Sequence, residues 1–205
     1  MPRAAVLKFL SGLLFAALAA ASPSPAPAAR AHDTAAGWAY VDLPLTDFGD
    51  DGEPYRLTFA RPGGEDVITR MLFASEARWT LSTGYARVRD SYDARTGVFK
   101  NPGGRAALFG AARQFRWHPP QGTHAAVPRL AIEFGVHYAT HRFPADGTRL
   151  SLLLVTGLEW VWHSRASGTE WTAALVWPHL SNANLFHRNA GYDGLALRFG
   201  RSLRF

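Results

Sequence analysis

From about residue 55 to its last residue the chain alternates apolar and polar side chains with a period of two, a pattern that few folds accept. In the final segment Leu195, Leu197, Phe199, Leu203 and Phe205 share one parity, interrupted by Arg201. Ala196, Arg198, Gly200, Ser202 and Arg204 share the other. Residues 130–141 behave alike: Leu130, Ile132, Phe134, Val136 and Tyr138 stand against Ala131, Glu133, Gly135, His137, Ala139 and His141. Successive strand side chains point to opposite faces, so each segment predicts a strand with one greasy face. Further strands are predicted near 55–61, 67–75, 77–89, 105–117, 150–162 and 171–181. Turn chemistry separates several of them, at Arg61-Pro62-Gly63-Gly64, Asn101-Pro102-Gly103-Gly104, Pro119-Pro120-Gln121-Gly122 and Ala145-Asp146-Gly147. No stretch after residue 35 shows a helical apolar period. Residues 36–44 read equally as a first strand or as a lead-in.

A soluble barrel or sandwich would turn the greasy faces inward, whereas an outer-membrane barrel turns them to lipid and keeps a polar interior. Residues 1–21 favour the second. Arg3 and Lys8 precede a short apolar run from Phe9 to Ala21, followed by small residues, which is the plan of a secretory signal peptide. The run is shorter than the roughly 20 residues of a spanning helix. Cleavage after Ala21 and cleavage after Ala31 both suit the small-x-small rule. Residues 22–35 read as a Pro/Ala-rich linker and 36–205 as the barrel. Glu133, His137, Arg198 and Arg204 suit a salt-bridged lumen, and Phe205 resembles the terminal aromatic of outer-membrane barrels. A spanning strand takes about 9–11 residues, so the expectation is all-β: an eight-stranded antiparallel transmembrane barrel of the outer-membrane type.

Composition narrows the chemistry. With 47% hydrophobic and 19% charged residues the chain has enough apolar surface to fold. It has no cysteine, which removes disulfides and thiolate metal sites. The net charge of +6 is carried almost wholly by arginines spread singly, without a basic run or a nucleic-acid motif. His137 and His141, i and i+4 on a strand, stand too far apart for one metal. No metal, cofactor or nucleic acid is expected.

The densest chemistry lies in Trp177-Pro178-His179-Leu180-Ser181-Asn182-Ala183-Asn184, followed by Asn189-Ala190-Gly191-Tyr192-Asp193. His179 and Ser181 are two apart and project from one strand face. An imidazole beside a hydroxyl is the minimum for a serine nucleophile. Asp193 could orient the imidazole if the chain returns on a neighbouring antiparallel strand. By parity all three fall on the greasy face. Polar groups in lipid are costly unless they serve a function, and an enzyme acting on a membrane lipid supplies one.

This constellation resembles the lipid A 3-O-deacylase (PagL) family. The resemblance implies His179 as general base, Ser181 as nucleophile and Asp193 as the group that orients the base. It places an oxyanion hole at backbone amides near Asn182 and Asn184, with Asn189 supporting the turn. It further implies a metal-independent ester hydrolase that removes a 3-hydroxyacyl chain from lipid A in the outer membrane. Asp193 stands where the family usually has glutamate, and Asn184 where glycine is common. His-x-Ser-Asn also resembles outer-membrane phospholipase A, a larger calcium-assisted barrel, so a phospholipase-like hydrolase is one alternative. A non-catalytic structural or adhesive barrel is another. The expected partners are lipopolysaccharide and membrane lipid, and a homodimer stays open.

Overall fold

The computed structural model describes residues 37–47, 52–88, 91–93, 98–101, 104–118, 128–143, 148–163, 169–182 and 191–203. The expected signal peptide and linker, the expected turns at 119–122 and 145–147, and Arg204 and Phe205 lie outside the described residues, as do Asn184 and Asn189.

Each alternating segment except one forms a strand. They are β1 (Gly37–Asp47), β2 (Gly52–Pro62), β3 (Glu76–Val88), β4 (Ser91–Asp93), β5 (Val98–Asn101), β6 (Gly104–Trp117), β7 (Arg129–Ala139), β8 (Leu150–His163), β9 (Glu170–Ser181) and β10 (Tyr192–Leu203). Eight of these close antiparallel in the order β1-β10-β9-β8-β7-β6-β3-β2, and β4 and β5 pair with each other in the β3–β6 connection. Closure pairs the backbone groups that an open edge would leave exposed to lipid. Residues 37–44 belong to the first barrel strand, because β1 pairs with β10 from Gly37↔Leu203 onward.

The expected strand at 67–75 is instead a short helix, α1 (Val67–Met71). Asp66 caps it, its carboxylate accepting the Thr69 amide N–H at 2.8 Å, and such a cap favours a helical turn over an extended one. Gly64, at φ 69°, sits in the left-handed region open to glycine and turns the chain into this segment.

The greasy faces point outward. Val41, Phe59, Leu81, Phe109, Phe134, Val136, Leu175 and Phe199 are exposed on the outer wall. Near the rim holding the start of β1 and the end of β10, Trp79, Trp160, Trp162 and Trp171 are exposed, with Trp162 opposite Trp171 across the β8–β9 ladder. Such aromatics belong at a membrane–water interface.

The interior is layered. Nearest the terminal rim, Arg78 bonds to Glu76 and to the Tyr40 hydroxyl, and Arg116 bonds to Glu159. At mid-height Asp42, Arg56, Glu133 and Arg198 form one buried network. The opposite half is apolar, where Leu108, Phe143, Leu153, Val155, Val176, Leu180 and Tyr192 cluster. The polar lumen expected from Glu133, His137 and Arg198 therefore fills only part of the barrel.

Candidate active site

Toward the rim opposite the start of β1, the end of β9 and the start of β10 carry the chemistry-bearing residues. On β9 Thr172, Ala174, Val176 and Leu180 are buried in the lumen, so the odd-numbered residues face outward. On β10 Tyr192, Ala196 and Arg198 are buried and the odd residues again face outward. His179, Ser181 and Asp193 thus share the outer wall. Asp193 lies directly across from His179 in the β9–β10 register. The His179 Nδ1 lies 2.7 Å from Asp193 Oδ1, and both side chains are part-buried. A carboxylate at that distance accepts the Nδ1–H and leaves Nε2 as the basic nitrogen, which is the orientation a serine nucleophile requires.

Local irregularities surround this pair. Pairing of β9 with β10 includes Asp193↔His179 and resumes at Ala196↔Val176. The break falls beside Pro178, which has no N–H for the ladder. On the other side of β10, the β1 pairing shifts between Pro44 and Thr46, opposite Ala196 and Leu195. Bulges of this kind bend a strand and re-aim its side chains. Asp193 therefore stands at the end of a stretch of β10 that is irregular toward both neighbours.

The pair is backed and flanked by apolar groups. Leu180 and Tyr192, the lumen-facing neighbours of the three residues, are buried in the apolar half of the interior. The Tyr192 ring packs on Phe143 at 5.4 Å between centroids. On the outside, Trp177 lies 6.0 Å from the His179 ring. From β8, Leu154 and Leu152 stand opposite His179 and Ser181. Gly191 closes the remaining side, since a Cβ there would lie 3.6 Å from His179 Cε1 and 3.2 Å from the Leu180 carbonyl oxygen.

Asn182 is buried at the end of β9. The contacts of Gly191, Leu152 and Leu154 escape sequence reasoning, because they depend on which strands lie side by side, whereas Trp177 shares the face of His179 by parity on β9. Pro178 did carry a signal, since proline inside a strand pattern marks a missing ladder bond.

Fold and site together define a class: an outer-membrane β-barrel with a His–carboxylate pair on its lipid-facing wall. The sequence model of the lipid A 3-O-deacylase (PagL) family matches residues 67–202, and the chain belongs to that family. Among solved structures, the crystal structure of the outer membrane enzyme PagL is similar at 16% identity and a TM-score of 0.47, over 82% of this chain and 99% of that chain. No curated protein matches the sequence.

Proposed function

We propose that this protein is a metal-independent serine esterase that removes an ester-linked 3-hydroxyacyl chain from lipid A through Ser181, His179 and Asp193. The observation that carries the reading is the 2.7 Å approach of Asp193 to His179 Nδ1 on the outer wall. Family membership supports the substrate. A barrel inserted from the periplasm sends the rim opposite its termini across the membrane, so the end of β9 and the start of β10 lie at the outer leaflet, where lipid A resides.

In this mechanism Ser181 Oγ attacks the acyl carbonyl carbon as His179 Nε2 takes the hydroxyl proton. Asp193 holds the imidazole and stabilises the imidazolium. Backbone amides near Asn182 and Asn184 donate to the oxyanion, with Asn189 supporting the connection that presents them. The intermediate collapses with cleavage of the acyl C–O bond, and the imidazolium returns its proton to the departing sugar oxygen. Water, deprotonated by His179, then hydrolyses the acyl-serine and releases the 3-hydroxy fatty acid. Trp177, Leu152 and Leu154 offer the acyl chain an apolar wall.

Mass spectrometry of lipid A from a lipopolysaccharide-bearing host tests the proposal. Expression of the wild-type chain is expected to remove one 3-hydroxyacyl group. Ser181→Ala and His179→Ala are expected to leave lipid A intact while keeping the gel-mobility shift of a folded barrel. Full deacylation by either variant removes its assigned role. Activity surviving a strong chelator separates this reading from a calcium-assisted phospholipase.

A further inference from the structure

The segment joining β2 to β3 lies against the outer wall of the barrel instead of simply reversing the chain. It leaves β2 at Gly63, whose N–H donates to the Ala77 carbonyl at 2.9 Å, and runs along β6. Arg113, Phe115 and Trp117 have the outward parity of β6, yet all three are buried. The Arg113 guanidinium donates to the carbonyls of Gly63 at 3.0 Å and Gly64 at 3.1 Å and to Asp66 at 2.8 Å. It also lies 4.6 Å from the centroid of the Trp79 ring. The Trp117 indole N–H donates to the Leu72 carbonyl at 3.0 Å, and Ala74 packs against the cluster of Phe115, Trp117, Ala77 and Leu130. The strap therefore removes from lipid a charge that the barrel wall could not leave bare.

Its other side is greasy. Thr69 is buried at 4% exposure, whereas Val67 is 62%, Ile68 58%, Met71 72% and Phe73 75% exposed. A surface helix in water has the reverse arrangement, apolar residues inward and polar residues outward. Phe73 also holds φ at 52°, a left-handed conformation that costs a bulky residue more than glycine. A phenylalanine held in this conformation with most of its surface exposed gains by what it touches. The patch continues through Trp79 into the lipid-facing wall, and the exposed Arg61 and Arg70 flank it.

We infer that this strap is a membrane flange: α1 and Phe73 lie in the leaflet at the rim holding the start of β1, against phospholipid chains. Arg61 and Arg70 meet the phosphates of those lipids. Continuity with the lipid-facing wall and the flanking arginines select phospholipid over a second copy of the chain. Amphipathic helices at such an interface bury their apolar face by about 5–10 Å. The inference rests on the barrel's place in the membrane and is independent of its catalysis.

The absence of cysteine allows single-cysteine labelling of the full chain. Met71→Cys and Phe73→Cys would carry an environment-sensitive nitrobenzoxadiazole. Leu81→Cys on the barrel wall gives the lipid reference and Glu65→Cys the aqueous one. The chains are folded into phosphatidylethanolamine–phosphatidylglycerol vesicles with and without chain-brominated phosphatidylcholine. Emission at 71 and 73 is expected to be blue-shifted and quenched to within about twofold of position 81, with position 65 unaffected. Emission at 71 and 73 that matches position 65 overturns the inference. So does shielding from bromine accompanied by disulfides between chains in a parallel, unlabelled Met71→Cys sample, which would assign the face to a second copy. Unaltered protein gives an independent reading: a phospholipid bearing a chain diazirine is expected to label the tryptic peptide 71–78. Labelling confined to barrel-wall peptides overturns the flange.

Discussion

Arg56 of β2 and Glu133 of β7 join walls of the barrel that are not neighbours, through two parallel hydrogen bonds of 3.1 Å each. Arg198 adds a 3.1 Å bond to the same carboxylate, and Asp42 receives both arginines. This tie sits between the outer ionic layer and the apolar half of the lumen behind the candidate site. Such a network specifies how the walls meet more than it adds net stability, because desolvation offsets most of the attraction.

Removing one member is a different matter. Glu133→Ala leaves two buried guanidinium groups facing a single carboxylate, and the expected loss is about 3–5 kcal/mol. Urea titration of the barrel in vesicles, followed by gel mobility, measures it. An unchanged midpoint would mean that water enters the lumen and replaces the lost partner. Glu133→Gln, which keeps hydrogen bonding without the charge, is expected to fall between.

Asp193→Asn preserves shape while removing the charge that holds the imidazole. The turnover rate is expected to fall about 10⁴-fold, as for the loss of the orienting acid in other triads, with the barrel still folded. Asp193→Glu restores the acid usual in the family and is expected to remain active. Both are read from fatty acid released per enzyme with lipid A in detergent. Equal activity in Asp193→Asn and wild type would show that the carboxylate has no part in turnover.

Gly191 lies close against the imidazole and the β9 backbone. In Gly191→Ala the new methyl meets the Leu180 carbonyl at 3.2 Å and His179 Cε1 at 3.6 Å. The tight contact is with the backbone oxygen, and its relief by a few tenths of an ångström moves the methyl that already touches the imidazole, disturbing the alignment of His179 on Asp193. The expectation is a lower kcat with little change in KM, and a larger loss for Gly191→Val. A loss confined to KM would instead place Gly191 in substrate binding.

Acid should loosen the strap. The Asp66 carboxyl is held below its ordinary value, first by the Thr69 backbone N–H, then by the Thr69 hydroxyl, with Arg113 contributing less. A depressed folded-state pKa stabilises the native form above the ordinary aspartate value of 3.8, and that stabilisation is lost as pH falls through the lower folded-state value. A label at Phe73→Cys is therefore expected to red-shift as the medium is acidified below that value. In an Asp66→Asn background, which caps without titrating, the transition should vanish. Its persistence would trace the change to another group.

The alternation of Leu195, Leu197 and Phe199 against Ala196, Arg198 and Gly200 determined that β10 is a strand with its greasy face on one side. The same parity put His179, Ser181 and Asp193 on that side. These are local properties, since the period of two follows from the backbone of a single strand. The segment 67–75 shows the limit of the rule: its run of apolar residues carries no helical period, yet the Asp66 cap decided for a helix.

Tertiary structure alone decided the rest. That Asp193 lies opposite His179, and not one position along, depends on the β9–β10 register, and a slip of one residue would turn one partner into the lumen. The break at Pro178, the bulge before Thr46 and the fit of Gly191 against the imidazole all arise between strands. So does the covering of Arg113 by a strap more than forty residues earlier in the chain. One strand's pattern states which way each side chain points, whereas closure of the barrel states what it meets there.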